Sequence, residues 1–119
     1  MGKHNDFGRL GEEIAADFLV KKGYQICHTN YRYQKAEIDI VALKGNLLAI
    51  VEVKSRSSDQ LQEIAETVNR KKIKLLVAAA DDYVLQNNLD VEVRFDIITL
   101  LKKNNNFVLE HLEDAFYHF

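Results

Sequence analysis

The feature that most restricts the fold is a pair of short apolar runs with no polar face. Ile40-Val41-Ala42-Leu43 and Leu47-Leu48-Ala49-Ile50-Val51 are separated only by Lys44, Gly45 and Asn46. Successive side chains of a strand point to opposite sides of a sheet, so a run that is apolar at both parities needs cover on both sides. A two-residue loop beginning with Gly joins such runs as a tight hairpin. The spacing predicts two antiparallel interior strands, 37–43 and 47–55, with Lys44 opposite Leu47.

The rest of the chain supplies the cover. Phe7, Leu10, Ile14, Ala15, Phe18 and Leu19 recur at helical spacing over 7–22, with Asn5 or Asp6 as the cap and Gly23 just past the end. Residues 24–33 read as an aromatic-rich strand with a break near Asn30. A second helical stripe runs over 63–88 through Val68, Leu75, Leu76, Ala79, Val84 and Leu85, ended by Asn87-Asn88. Strands follow at 91–101 and 107–112. The expected fold is α/β, a central mixed sheet of about five strands flanked by helices, in the order α-β-β-β-α-β-β.

The 119 residues are read as a single domain, 1–119. Hydrophobic residues at 47% and charged residues at 29% suit a globular core and argue against disorder. Proline is absent, so the turns rest on Gly, Asn and Asp. No run approaches the ~18 apolar residues of a membrane span, and the N-terminus lacks the apolar stretch of a secretory signal. The lone Cys27 has no partner for an internal disulfide. No membrane partner and a reducing, cytoplasmic setting are therefore expected. The net charge of −2 does not announce a nucleic-acid binder. A total is a weak test, however: local basic clusters bind phosphate, and the carboxylates of a metal site lower the sum.

The predicted hairpin register gathers charge at one place. Counting back from Lys44 and Leu47 sets Asp39 opposite Glu52 and Glu37 opposite Lys54. Directly opposed residues share a face, so these four form a compact quartet. Glu-x-Lys in a strand is ordinarily part of a solvated face. Here the charges continue strands that are apolar on both parities, so they are partly desolvated, which is costly without pairing. Asp39 against Glu52 adds like-charge repulsion that Lys54 relieves only in part. A divalent cation would relieve the rest, and hard oxygen ligands suit Mg2+ or Mn2+ rather than zinc. A one-residue slip of register would send Asp39 and Glu52 to opposite faces.

Asp39, twelve residues, then Glu52-Val53-Lys54 resembles the signature of the PD-(D/E)XK, restriction-endonuclease-like nuclease superfamily. The wider pattern is more specific. Gly8-Arg9-Leu10-Gly11-Glu12, Glu37-Ile38-Asp39-Ile40-Val41-Ala42, Val51-Glu52-Val53-Lys54-Ser55-Arg56, Arg94-Phe95-Asp96 and Asp114-Ala115-Phe116 occur in that order. Together they resemble the YraN family, small bacterial proteins of uncharacterised function, over nearly the whole chain. The first half also resembles archaeal Holliday-junction resolvases. Ala36 replaces the usual glycine before Glu-x-Asp, and Ile38 replaces the proline of the superfamily motif.

The resemblance implies a metal-dependent endonuclease acting on DNA phosphodiester bonds, on branched or recombining DNA where the resolvase likeness holds. Asp39 and Glu52 would hold Mg2+ or Mn2+ with the main-chain carbonyl of Val53. Lys54 would orient or deprotonate the attacking water. Glu12 would reach in from the first helix as a further carboxylate, where Gly11 permits close approach to the sheet. Without the resemblance, Glu12 and Glu13 read as a solvated first turn that favours the helix dipole. Glu37 is a third ligand or a salt-bridge partner of Lys54; support of the site is the favoured role.

Lys72 and Arg56 are the expected phosphate contacts. Arg70, Lys71 and Lys74 read as solubilising charges. Tyr31 and Tyr33 alternate with Arg32, as a base-stacking strip does, although an ordinary strand with one buried face looks the same. His4, His28, His111 and His118 show no ligand spacing and read as surface or terminal residues. The aromatic tail from Asp114 to Phe119 packs back on the domain or forms a partner surface. Resolvase-like action would require a homodimer. The alternatives to an enzyme are a non-catalytic nucleic-acid-binding module and a protein-interaction domain that keep the nuclease fold.

Overall fold

The computed structural model describes residues 3–57 and 70–115, with side chains described over 8–56 and 70–115. Seven elements follow one another: α1 (Lys3–Lys21), β1 (Gln25–Tyr33), β2 (Ala36–Lys44), β3 (Leu47–Ser57), α2 (Arg70–Gln86), β4 (Glu92–Lys103) and β5 (Asn106–Leu112). The strands form one sheet in the order β1-β2-β3-β4-β5. Only β3 and β4 run parallel; the other neighbours are antiparallel. This mixed α/β architecture and element order are consistent with a restriction-endonuclease-like core.

The doubly apolar runs are covered as their pattern demands. Leu48 and Ile50 of β3 pack with Val41 of β2 and Phe95 of β4 under α2, against Leu76, Ala79, Ala80 and Tyr83. Ala49 and Val51 pack with Ile40 and Ala42 on the other face, against Ala15 and Leu19 of α1. Full burial of an aliphatic side chain the size of Val, Leu or Ile is worth about 1.5–3 kcal/mol, so this two-sided clamp on β2 and β3 fixes the register. The hairpin pairs Lys44 with Leu47 and runs in step to Ile40 with Val51. Gly45 takes φ 62°, the left-handed value that a Gly-first turn needs.

Both described helix C-termini follow the expected chemistry. Gly23, at φ 102°, closes α1 as its N–H donates to the Val20 carbonyl and Tyr24 N–H donates to that of Leu19. Asn88, at φ 51°, closes α2, and Leu89 N–H donates to the Val84 carbonyl. The start of α1 differs: the helix begins at Lys3, so Asn5 and Asp6 lie inside it rather than capping it. The first part of the predicted second helix, 63–69, lies outside the described residues, as does the end of the aromatic tail. Among the described residues no helix is long and apolar enough to cross a membrane.

One expectation is corrected. His111 is not a surface residue: its side chain is 3% exposed on β5 and its Nε2 bonds the fully buried Asp96 of β4 at 2.8 Å. Arg94 grips both oxygens of the same carboxylate, Nε to Oδ1 at 2.8 Å and Nη2 to Oδ2 at 2.7 Å. The Asp114 N–H adds a third partner at 3.0 Å, and the Ala115 N–H donates to the Phe95 carbonyl. The described part of the tail is thus pinned to the start of β4. Lys22 Nζ lies 2.9 Å from His111 Nδ1. An ammonium only donates, so Nδ1 is the acceptor and Nε2 carries the proton given to Asp96.

Candidate active site

The site lies where the sheet stops being regular. Paired β2 and β3 end at Ile40 and Val51, one step short of the Asp39–Glu52 pair that the sequence predicts. Ile38 packs on the α2 side and Ile40 on the α1 side, yet Val41 is again on the α2 side, so the alternation along β2 slips at Asp39. On β1, Thr29 pairs with Ile40 and Tyr31 with Ile38, which sets Asn30 across from Asp39. Asn30 is at φ 55°. Asn tolerates this left-handed value better than most residues, and β1 runs unbroken over Gln25–Tyr33 where the sequence predicts a break. The slip opens β2 from β3 and turns the Asp39 carboxylate onto the next strand, where the Val53 N–H donates to Oδ2 at 2.8 Å.

A cleft of about 370 Å3 opens at this splayed end, lined by Glu12, Lys35, Glu37, Asp39, Glu52, Val53, Lys54 and Lys72. It is reached from both faces of the sheet: Glu12 comes from α1 and Lys72 from the first turn of α2 on the opposite side. Glycine at position 11 allows the approach of α1. A Cβ there would stand 2.1 Å from Ser55 Oγ and 3.3 Å from Leu100 Cδ1.

Electrostatics in the cleft follow from burial. Glu52 is 5% exposed. Its Oε2 is held by Lys54 Nζ at 3.5 Å and by Lys72 Nζ, so both ammonium groups engage one oxygen. Asp39 sits beside this carboxylate. Burial and then the Glu52 charge push its carboxyl up to about 8, against the weaker opposing effect of the Val53 N–H. Glu12 is raised too, first by burial, with Glu37 and Glu52 adding repulsion and Asn30 partly offsetting them. Burial and the neighbouring Lys72 lower Lys54. For Lys72 burial works against the charge, but the bonds to Glu52 and Lys54 outweigh it and raise its pKa.

Asp39, Glu52, Lys54, Glu12, Lys72 and Glu37 thus line one cleft, with Val53 in its wall. The expected partnership of Glu37 with Lys54 does not form; Glu37 pairs with Arg32 at 3.7 Å. Arg56 does not line the cleft, and its Nη1 donates to the Ser55 carbonyl. Tyr31 is no free stacking strip: its hydroxyl donates to Asp82, which with burial pushes its pKa up to about 12, and its ring packs edge-on against Tyr83 and His28. Lys35 is the cleft residue that sequence reasoning missed. Its signal was its place in the two-residue turn between Tyr33 and Ala36, just ahead of the acidic motif. A smaller hollow meets the cleft at Glu12 and is lined by Arg9, Glu13, Ala16, Thr29 and Asn30.

The donor set bears on which metal the cleft would suit. Among the described residues no group of three or more His, Cys, Asp or Glu side chains converges as a metal cage. Two hard carboxylates with a main-chain carbonyl fit magnesium or manganese, which keep several waters and take their remaining ligands from substrate phosphates. A strand residue directs its N–H and C=O to the same neighbour, so the Val53 carbonyl leaves the backbone on the side where its N–H meets Asp39.

Comparison with known proteins gives one consistent result. The model of the uncharacterised protein family UPF0102 matches residues 11–100. A UPF0102 protein of Flavobacterium psychrophilum is 54% identical over 119 residues, covering all of both chains. One from Parabacteroides distasonis is 50% identical over 98% of this chain and 97% of its own. One from Christiangramia forsetii is 47% identical over the full length of both. The chain belongs to the UPF0102, or YraN, family.

Proposed function

We propose that the protein is a metal-dependent endonuclease whose cleft binds Mg2+ or Mn2+ through Asp39 and Glu52 and hydrolyses DNA phosphodiester bonds. One observation carries this reading: two desolvated, mutually repelling carboxylates share a cleft with two lysines at the splayed end of β2 and β3. Structural stability alone gives no reason to assemble such a group, because buried charges are costly unless fully paired. A bound divalent ion would supply what phosphodiester hydrolysis needs, a polarised phosphoryl oxygen and a nucleophile at neutral pH.

The side chains divide the remaining work. Lys54, with its lowered pKa, is poised beside the carboxylates to take the proton of the attacking water. Water oxygen bonds to phosphorus as the leaving P–O bond breaks, the water's proton ends on the lysine amine, and the departing oxygen takes a proton from solvent water. Lys72 stays charged, positions Glu52 and neutralises a phosphate oxygen. Glu12 and Glu37 shape the field at the rim. A cleft of about 370 Å3 has room for one phosphodiester and its neighbours along a single backbone.

Branched DNA as the preferred substrate, and a homodimer, rest on the likeness to junction resolvases, which is fold-level analogy. One observation favours a second reading. Two ammonium groups on Glu52 Oε2 do part of what a metal would do, as in a metal-free phosphate-binding module. Cleavage of linear, flapped and four-way DNA with manganese separates the two. Wild type is expected to cut at least one of these, with Glu52→Ala and Lys54→Ala slower by 100-fold or more. Cleavage at the wild-type rate by both variants rejects the mechanism. DNA binding without cleavage on any substrate favours the module.

A further inference from the structure

We infer that Lys35 is a phosphate-binding residue that contacts the nucleic-acid backbone beside the scissile position, so that the substrate is an oligonucleotide strand and not a mononucleotide. This rests on the reading of the cleft as a DNA-hydrolysing site and adds a residue that the family motif does not contain.

The argument begins with charge. Four acids line the cleft, Glu12, Glu37, Asp39 and Glu52, with three lysines, Lys35, Lys54 and Lys72. Lys54 and Lys72 are committed to Glu52, and Glu37 is turned to Arg32. Lys35 makes no ion pair with any described residue. An exposed lysine is ordinarily hydrated and mobile, but the backbone of this one is tied down. Its turn is closed by the Tyr33–Ala36 pair, Gln34 holds φ 55°, and Ala36 is buried in the core under α2. The uncommitted cation therefore stands at a fixed rim of the cleft, next to carboxylates that repel any phosphate. A phosphate held at Asp39 and Glu52 is met by Lys54 and Lys72, which leaves Lys35 for the next phosphate along the strand. Such contacts give affinity and register without reading bases.

The test uses the full chain with calcium, which ligates carboxylates flexibly and holds the complex for binding measurements. Fluorescein-labelled 16-nucleotide single-stranded DNA is titrated at increasing salt with wild type, Lys35→Ala, Lys35→Arg and, at the far end of α1, Lys21→Ala. Lys35→Ala is expected to bind about 3–10-fold more weakly near 0.1 M salt, with the slope of log K against log salt reduced by ~0.7, one phosphate contact. Lys35→Arg should restore both, Lys21→Ala should match wild type, and affinity for thymidine 5′-phosphate should be the same with and without Lys35. If Lys35→Ala behaves as Lys21→Ala while Lys72→Ala weakens binding, the inference fails and the reading of the cleft survives. An equal loss for thymidine 5′-phosphate moves Lys35 to the central phosphate and overturns the flanking role. Absence of DNA binding by wild type at every salt concentration removes both.

Discussion

Asp39 and Asp96 are both withdrawn from water, yet their surroundings set them to opposite tasks. Asp96 receives donors from Arg94, His111 and the Asp114 N–H, and these outweigh the cost of its burial and hold its carboxyl below the ordinary range. Asp39 receives one N–H and faces another carboxylate, and its carboxyl is pushed from 3.8 to about 8. The sign of its linkage follows. Between about 4 and about 8 the folded protein keeps a proton at Asp39 that the unfolded chain has released, so metal-free stability falls as pH rises through that window. At about 1.4 kcal/mol per pKa unit the loss is several kcal/mol. Asp39→Asn should abolish it. In urea melts with EDTA the variant should gain on wild type between pH 5 and pH 8.5, and added magnesium should stabilise wild type but not the variant. Parallel melts at both pH values would show that Asp39 is not the proton holder.

At the level of elements, α1 reaches the sheet because position 11 has no side chain. Glycine inside a helix costs about 1 kcal/mol relative to Ala, so Gly11→Ala gains propensity while driving a methyl into Ser55 Oγ. In wild type the clash should win, with a net loss of about 1–2 kcal/mol, as overpacked cores show. In a Ser55→Ala background the same change should be neutral or stabilising, since the remaining contacts are near ordinary packing distance. A coupling energy close to zero in the four-variant cycle would place α1 farther from β3 than the structure has it. These elements are also where the sequence was most readable. Period and turn residues sufficed for the hairpin at Gly45-Asn46, its register from Lys44–Leu47 to Ile40–Val51, the Gly23 and Asn88 helix ends and the order of elements along the chain, because each depends on neighbours a few residues away. The slip at Asp39 did not announce itself, since Asn30 stands opposite it on another strand and only the pairing with β1 reveals it. Lys35 was missed for a similar reason: a turn lysine becomes part of a cleft only once Lys72 and Glu52 stand beside it. His111 reads as a surface histidine until β5 folds onto β4 and Asp96.

For the whole molecule, the two buried aspartates mark separate parts of one sheet. Val51 pairs with Asp96, and the next residue along β3 is Glu52, so cleft and tail clamp share the β3–β4 seam. The clamp ties α1, through Lys22 and Tyr24, to β4, β5 and the tail. Removing its centre strands Arg94 and leaves His111 without its acceptor, so Asp96→Ala should cost about 3–5 kcal/mol. Because the Asp96 carboxyl is lowered in the fold, its contribution is present above the unfolded value near 3.8 and is lost as pH falls through the folded value. The metal-free protein should therefore be most stable on the acid side of neutrality, with an acid limb that includes Asp96 and a limb toward alkaline pH governed by Asp39. Chemical melts from pH 3 to pH 9 on Asp39→Asn and Asp96→Asn test this directly. Asp39→Asn should flatten only the limb above about 4, and Asp96→Asn should lower the curve throughout and soften only the limb below it. Curves displaced without any change of slope in either variant would mean that neither aspartate titrates as its surroundings require.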